Sequence, residues 1–437
     1  MFRTLVFASV ALLFSNHAVA APDTAAVVTT PPAKPASAAL LAATDDLLRQ
    51  VSALRGLKVK GPVARGVLSR AEISEKLRAR LEKEYTPAEV SAEARVLRRL
   101  GLLPLGVDYA KLLLELLTEQ VAGFYDPTTR RLYIADWLPM EMQRPALAHE
   151  LAHALQDQHF NLAVFIKPMK DDGDRQLARA ALVEGEGTAL MLEMQAQEMR
   201  LPLDQLPDLI TQLGDSLLKG GSMGAAPVFE AAPTFLRETL IFPYFEGLRF
   251  VMAMRRGKTW KRIDEVWKSP PESTEQILHP DRYLSKDAPI AITAKPILAL
   301  APRRELRRDV LGELALRILF RSRLPEPQAD AAAAGWGGDR LVAYGDDKPS
   351  SMPTVIDLSI WDTETDAIEA ATAFQAMFAK ITGSTASTGA VARYVDPNGE
   401  TWRVERRERE VLTIFGGPAD DALVVEQAWV ALRPTTK

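Results

Sequence analysis

The chain has no cysteine in its 437 residues. That excludes disulfides, thiolate nucleophiles and every zinc site that uses sulfur, so any metal must be held by imidazole and carboxylate. Histidine is scarce as well: there are 5, and His149, His153 and His159 fall close together. No excess of one charge exists, since 53 Lys and Arg are interspersed with 57 Asp and Glu for a formal net charge of -4. Such a surface offers no basic field for a phosphate backbone, and nucleic acid is not expected as a partner. Long apolar runs are also missing beyond the N-terminus, so no integral membrane segment is expected once the leader is removed. What remains, 47% hydrophobic and 25% charged residues, is ordinary globular composition in a chain long enough for two domains.

Residues 1–20 combine a basic start at Arg3, an apolar stretch from Leu5 to Phe14 and a small-x-small ending at Ala18, Val19 and Ala20. This predicts a secretory signal peptide cut after Ala20, and an exported protein, periplasmic or secreted. Residues 21–39, rich in Ala, Pro, Thr and Val, suit a linker. Residues 40–118 read as an N-terminal region of amphipathic helices, clearest in Ile73 to Tyr85 and Pro87 to Leu100. Val121 to Tyr125 and Arg131 to Ala135 are β-prone runs joined by Asp126, Pro127, Thr128 and Thr129, a hairpin signal. Helices follow: one with Pro145 in its first turn, one over Asp174 to Met199 and one over Phe235 to Met254. The core of the protein is expected over residues 119–290, and 291–330 reads as a connecting helix and linker. In residues 331–437, strands at Asp339 to Tyr344, Thr354 to Trp361, Val391 to Val395, Trp402 to Glu408 and Val411 to Phe415 alternate with helices at Thr365 to Ile381 and Asp420 to Leu432. That pattern predicts a smaller α+β C-terminal domain.

The chemistry concentrates in His149-Glu150-Leu151-Ala152-His153. On a helix, the i to i+4 spacing puts both imidazoles on one face, where they can share a cation. Glu150 projects toward the same side, within reach of a water on that cation. A catalytic zinc needs a third protein ligand and an open position. Glu184, Glu186 and His159 are the candidates. Glu184 and Glu186 sit in an apolar helical segment, where two carboxylates are costly unless they bind something. Glu184 has small helical neighbours, Ala180, Ala181, Gly187 and Thr188, that permit close approach of another helix, which favours it over Glu186. His159 has the spacing of the metzincin third ligand, but Gln156 stands where those enzymes need Gly to break the helix.

His149-Glu150-x-x-His153 with a Glu on a following helix resembles the gluzincin zinc peptidases. Gly123-Phe124-Tyr125-Asp126-Pro127, Glu184-Gly185-Glu186 and Ser273-Thr274-Glu275-Gln276-Ile277-Leu278-His279-Pro280 add a similarity to an exported microbial gluzincin-like family, over about residues 60 to 290; Gly335-Trp336-Gly337-Gly338-Asp339 is similar too. The resemblance implies a mainly helical, gluzincin-like zinc peptidase domain with a small sheet beside the active-site helix. It implies one catalytic Zn2+ on His149, His153 and Glu184, Glu150 as general base, and a peptide or protein substrate. Arg131 to Ala135 would be the edge strand to which an extended peptide adds. In the family an Asp four residues after the ligand Glu supports the first His; here that place holds Thr188. A His or Tyr beyond the ligand helix stabilises the oxyanion, which makes His279 the candidate, with Tyr244 and Tyr283 as alternatives. The other reading is a non-catalytic exported zinc-containing binding protein with a degenerate peptidase fold.

Overall fold

The computed structural model describes residues 38–435 apart from 122, 136–139, 201–225 and 386–388. The predicted signal peptide and nearly all of the expected linker therefore lie outside the described residues. The architecture is mixed α+β.

The chain opens with α1 (Ala38–Arg55), β1 (Ala64–Leu68), α2 (Arg70–Glu84), α3 (Pro87–Arg99) and α4 (Tyr109–Gln120), then β2 (Gly123–Asp126) and β3 (Arg131–Ala135). Two helix starts are written locally. Ser69 with Glu72 and Thr86 with Glu89 form capping boxes, and Pro87 takes the first position of α3, where its missing N–H costs nothing. The strand β1 lies in a region whose periodicity reads as helical. It pairs in parallel with β3, Ala64 opposite Arg131 and Leu68 opposite Ala135. Its five residues, Ala-Arg-Gly-Val-Leu, carry no alternation, and the pairing comes from a distant part of the chain. The sheet order is β1-β3-β2. This corrects the expectation that Arg131 to Ala135 is an edge strand: both of its sides are paired, and the edges belong to β1 and β2.

Next come α5 (Met140–Phe160), α6 (Leu162–Phe165), α7 (Gly173–Met199), α8 (Pro227–Ala231) and α9 (Thr234–Arg255). Glycine inside a helix costs about 1 kcal/mol relative to alanine, so Gly185 in α7 and Gly247 in α9 need a reason. It is their mutual approach. A Cβ on Gly185 would lie 2.1 Å from the Gly247 carbonyl carbon, and one on Gly247 would lie 2.1 Å from the Ala181 oxygen. The two helices cross with backbone against backbone, which brings α9 close to α7.

After α10 (Lys261–Lys268), α11 (Thr274–Leu278) and α12 (Pro280–Ser285), the chain runs through β4 (Ile292–Ala294), β5 (Arg304–Asp309), α13 (Gly312–Arg321), α14 (Glu326–Ala333), β6 (Trp336–Gly345), β7 (Thr354–Trp361) and α15 (Glu364–Thr382). It ends with β8 (Val391–Val395), β9 (Thr401–Arg407), β10 (Glu410–Gly417), α16 (Ala422–Ala431) and β11 (Leu432–Pro434). Six strands form one antiparallel sheet in the order β5-β6-β7-β10-β9-β8. Residues 291–330 are thus more than a connector, because they supply β5 to this sheet and β4 to a ribbon with β11. The β5 sequence Arg-Glu-Leu-Arg-Arg-Asp hides its period behind charge, as edge strands do. In contrast, β7 is buried along its whole length. One side of the sheet packs Val342, Ile356, Leu412 and Ile414 against Val424 and Trp429 of α16. On the other side, Leu341, Val355 and Phe415 join a core that continues through Phe374 to Leu316, Leu248, Leu182 and Leu151. The two halves of the protein therefore share apolar packing. No helix of the described residues is long and apolar enough to cross a membrane.

If the α7–α9 crossing is as tight as the glycines require, Gly247→Ala will cost about 1–3 kcal/mol through overpacking, read as a lower midpoint in urea denaturation. Gly61→Ala, where nothing lies within 4 Å of the added carbon, is the control and should leave the midpoint in place.

Candidate metal centre

Helices α5 and α7 bring four of the sequence-selected residues together. His149 and His153, one turn apart on α5, stand edge to face with ring centroids 4.6 Å apart. Both direct Nε2 at Oε2 of Glu184, at 2.9 Å from His149 and 3.3 Å from His153. All are buried, Glu184 completely and Glu150 to within 1%. Local sequence on α7 makes room: a Cβ on Gly187 would stand 3.0 Å from the His149 ring, so glycine lets the imidazole lie on the helix. His149, Glu150 and His153 each offer one donor atom within 4.8 Å of the others'.

The two glutamates of α7 have separate fates because residues two apart on a helix project about 200° from each other. Glu184 faces α5. Glu186 turns to a cluster of its own, where it pairs with Arg55 and accepts from Trp267 Nε1 at 2.6 Å and Gln156 Nε2 at 3.1 Å. Arg55, only 1% exposed, also binds Asp264 at 2.7 Å. Glu186 is fully engaged there, and its carboxylate does not reach the two histidines.

Gln156 orients the site. Its Nε2 faces two acceptors, Val183 O and Glu186 Oε2, both at 3.1 Å, which fixes the amide with Oε1 toward His153 Nδ1 at 2.8 Å. An acceptor at Nδ1 requires the proton there, so the protonated ring donates from Nε2 to Glu184, and the neutral ring keeps Nδ1–H and offers the Nε2 lone pair to a cation. The residue that keeps α5 helical past the motif thus also sets the tautomer of the second histidine. The helix runs on to Phe160, and His159 Nε2 lies 2.8 Å from Lys58 O, away from the cluster.

Glu150 has one oxygen held and one free to act. Oε2 accepts from the Tyr125 backbone N–H of β2 at 2.6 Å, while the buried Oε1 has no hydrogen-bond partner among the described residues. Burial pushes this carboxyl up to about 8, with His153 pulling it down. His149 is lowered, chiefly by burial. Burial also disfavours charge on His153, but the Glu184 carboxylate outweighs it and raises the imidazole to about 9. For Glu184 burial works upward, yet the charge of His153 and the bonds from both rings hold the carboxyl below its usual range. The group therefore stabilises negative charge on Glu184 and competes for protons with any cation. Oε1 of Glu184, like Oε1 of Glu150, is buried without a partner among the described residues. An unmatched buried carboxylate oxygen is costly. Two imidazoles and a carboxylate converging on one point, with these oxygens unmatched, suit one divalent cation held by two histidines and a carboxylate.

The oxyanion candidate His279 needs correcting. Its Nε2 binds Glu313 Oε1 at 2.9 Å, and this bond raises the imidazole above its ordinary value. The ring is held by a buried carboxylate of α13 and is not among the groups gathered at His149, Glu150 and His153. Tyr283 is engaged as well, donating to Ser269 O at 2.8 Å. Of the three candidates Tyr244 is the one against the site: it is buried on α9 with its ring centroid 6.1 Å from that of His149. Thr188 makes no hydrogen bond to His149, and its buried hydroxyl has no partner among the described residues.

Sequence reasoning missed Arg55, Trp267, the Tyr125 amide and the positive role of Gln156. The one available signal was Glu186 itself, a second carboxylate in an apolar segment that had to find a cation somewhere.

Among known families, one described as a domain of unknown function (DUF8575) matches residues 300–426. The match begins just before β5 and ends within α16, so it follows the six-stranded sheet and leaves out the histidine cluster. No curated protein and no solved structure matches the chain.

The Glu186 cluster is open to a stability test. Arg55→Leu strands a buried carboxylate and should cost about 3–5 kcal/mol in urea denaturation. Arg55→Leu combined with Glu186→Leu should recover most of that loss; a double variant no more stable than the single would show that the pairing is not the cause.

Proposed function

We propose that the protein is an exported, zinc-dependent metallopeptidase of gluzincin-like arrangement. The observation that carries this reading is the convergence of His149 and His153 Nε2 on Glu184 Oε2, beside a Glu150 carboxylate with one unmatched oxygen. His149, His153 and Glu184 would hold the metal. Bound there, zinc supplies Lewis acidity, lowering the pKa of a water to roughly 7 and polarising a peptide carbonyl.

Glu150 is the residue that moves the proton. Tyr125 N–H anchors Oε2, so Oε1 points in a defined direction, takes a proton from the attacking water and returns it to the departing amine. Burial raises this carboxyl to about 8 with no cation beside it, and the charge of a bound divalent ion would lower it toward the ionised form that a base requires. A peptide would lie along β2, whose Tyr125 amide already touches Glu150, and not along the doubly paired β3. Tyr244, packed at His149, takes the place of His279 as the donor to the oxyanion. Export rests on the predicted leader alone.

A second reading, a non-catalytic exported binding protein that keeps a structural zinc, is favoured by the burial of His149, Glu150, His153 and Glu184, each at most 3% exposed. Glu150 separates the two, because a structural site has no use for a base.

For the peptidase, Glu150→Gln retains zinc, measured by elemental analysis, while kcat/KM on a cleaved peptide falls by about 10²–10⁴-fold. Cleavage at wild-type rate in that variant would contradict the mechanism. No cleavage by zinc-loaded wild-type protein across a broad peptide library, with unfolding on zinc removal, would favour the binding protein.

A further inference from the structure

The segment from Ser273 to Pro280, which stands out in the sequence, contributes nothing to the histidine cluster and builds a different one. Ser273 caps α11 through its hydroxyl, and Thr274 ties the helix to Asp174 at the start of α7 through both its amide and its hydroxyl. This anchoring holds Glu275 against Asp287, which follows α12, and Asp362, at the corner between β7 and α15. One oxygen from each of the three lies within 4.8 Å of the other two. Glu275 is only 3% exposed, and its carboxylate has no hydrogen bond or ion pair among the described residues. The neighbouring cation, Arg282, is spent on the other two: its Nη1 is 2.6 Å from Asp287 Oδ2 and 2.7 Å from Asp362 Oδ2.

A second observation comes from α13. Glu313 is 2% exposed; its Oε1 binds His279, and its Oε2 is buried with no partner among the described residues. Its charge acts on Glu275. Burial, then the charges of Glu313 and Asp362, push the Glu275 carboxyl up to about 9. Four carboxylates thus crowd around one guanidinium and one imidazole, and Glu313 keeps one buried oxygen unmatched among the described residues. The single guanidinium leaves the group with an excess of negative charge that a further cation at Glu275 would offset.

We propose that Glu275, Asp287 and Asp362, backed by Glu313, bind a hard divalent cation of the Ca2+ class that clasps the α11–α12 hook to the six-stranded sheet. The ligand chemistry selects the class. All three donors are carboxylate oxygens from separate segments, and the partly exposed Asp287 and Asp362 leave room for water to complete the 6–8 oxygens that Ca2+ takes in irregular geometry. Zinc prefers the imidazoles of the other site. The clasp spans the same junction where Thr274 and Asp174 meet, so it ties the end of the ligand-bearing helix α7 to the C-terminal sheet.

The test uses the full chain, treated with a Ca2+-selective chelator and then titrated with CaCl2 by calorimetry and thermal denaturation. The expected result is one Ca2+ bound per chain and a rise of several degrees in the midpoint. Asp362→Asn and Glu275→Gln should each weaken binding by at least ~10-fold. Asp287→Asn, at the most exposed of the three, serves if either variant fails to fold. Absence of heat and midpoint shift at millimolar Ca2+ would overturn the proposal, as would unchanged affinity in the variants. A Glu275→Gln protein as stable as wild type with Ca2+ present would show that a proton neutralises Glu275 instead.

Discussion

Burying a carboxylate is among the most expensive things a fold can do, and Glu184 is buried completely with two imidazoles of α5 as its hydrogen-bonding company. That cost constrains the surrounding structure. It requires α5 and α7 to lie close enough for His149 to rest on Gly187, and it requires Glu186, two residues along, to find its own cation on the opposite side. Arg55 of α1 answers the second demand, so the first described helix is fastened to the helix that carries Glu184. Gln156 bridges the two systems, touching His153 on one side and Glu186 on the other. A disturbance at Arg55 therefore has a short route to the tautomer of His153.

The parts of this arrangement that follow from local spacing could be read directly. His149, Glu150 and His153 lie within little more than one turn of helix, and periodicity alone places them together. The five strands read in the last hundred residues sit within a residue or a few of β6 to β10, because β6, β7 and β10 are buried on both faces and β8 alternates exposed with buried residues. Glu184 is separable from Glu186 by its small neighbours, although those neighbours serve two different approaches. Ala181 receives Gly247 of α9, and Gly187 receives the histidine ring.

What could not be read depends on distant partners. β1 is a five-residue strand whose pairing is parallel and nonlocal, and its presence turns β3 from an edge into the centre of its sheet. β5 conceals its register under charged side chains because it lies at the sheet's edge. His279 is a candidate through the resemblance alone, but Glu313, in the later helix α13, captures it. Tyr244 reaches His149 only through the close crossing of α7 and α9, which no pattern within α9 announces.

The account's central claim is that His149, His153 and Glu184 are the ligands of one zinc ion. X-ray absorption at the zinc edge on the purified full chain tests it most directly. The account predicts one zinc per chain with two imidazole nitrogens and carboxylate or water oxygens at about 2.0–2.2 Å, and loss of that signal in Glu184→Gln. Protein that takes up no zinc, or zinc whose coordination is unchanged in Glu184→Gln, would contradict it.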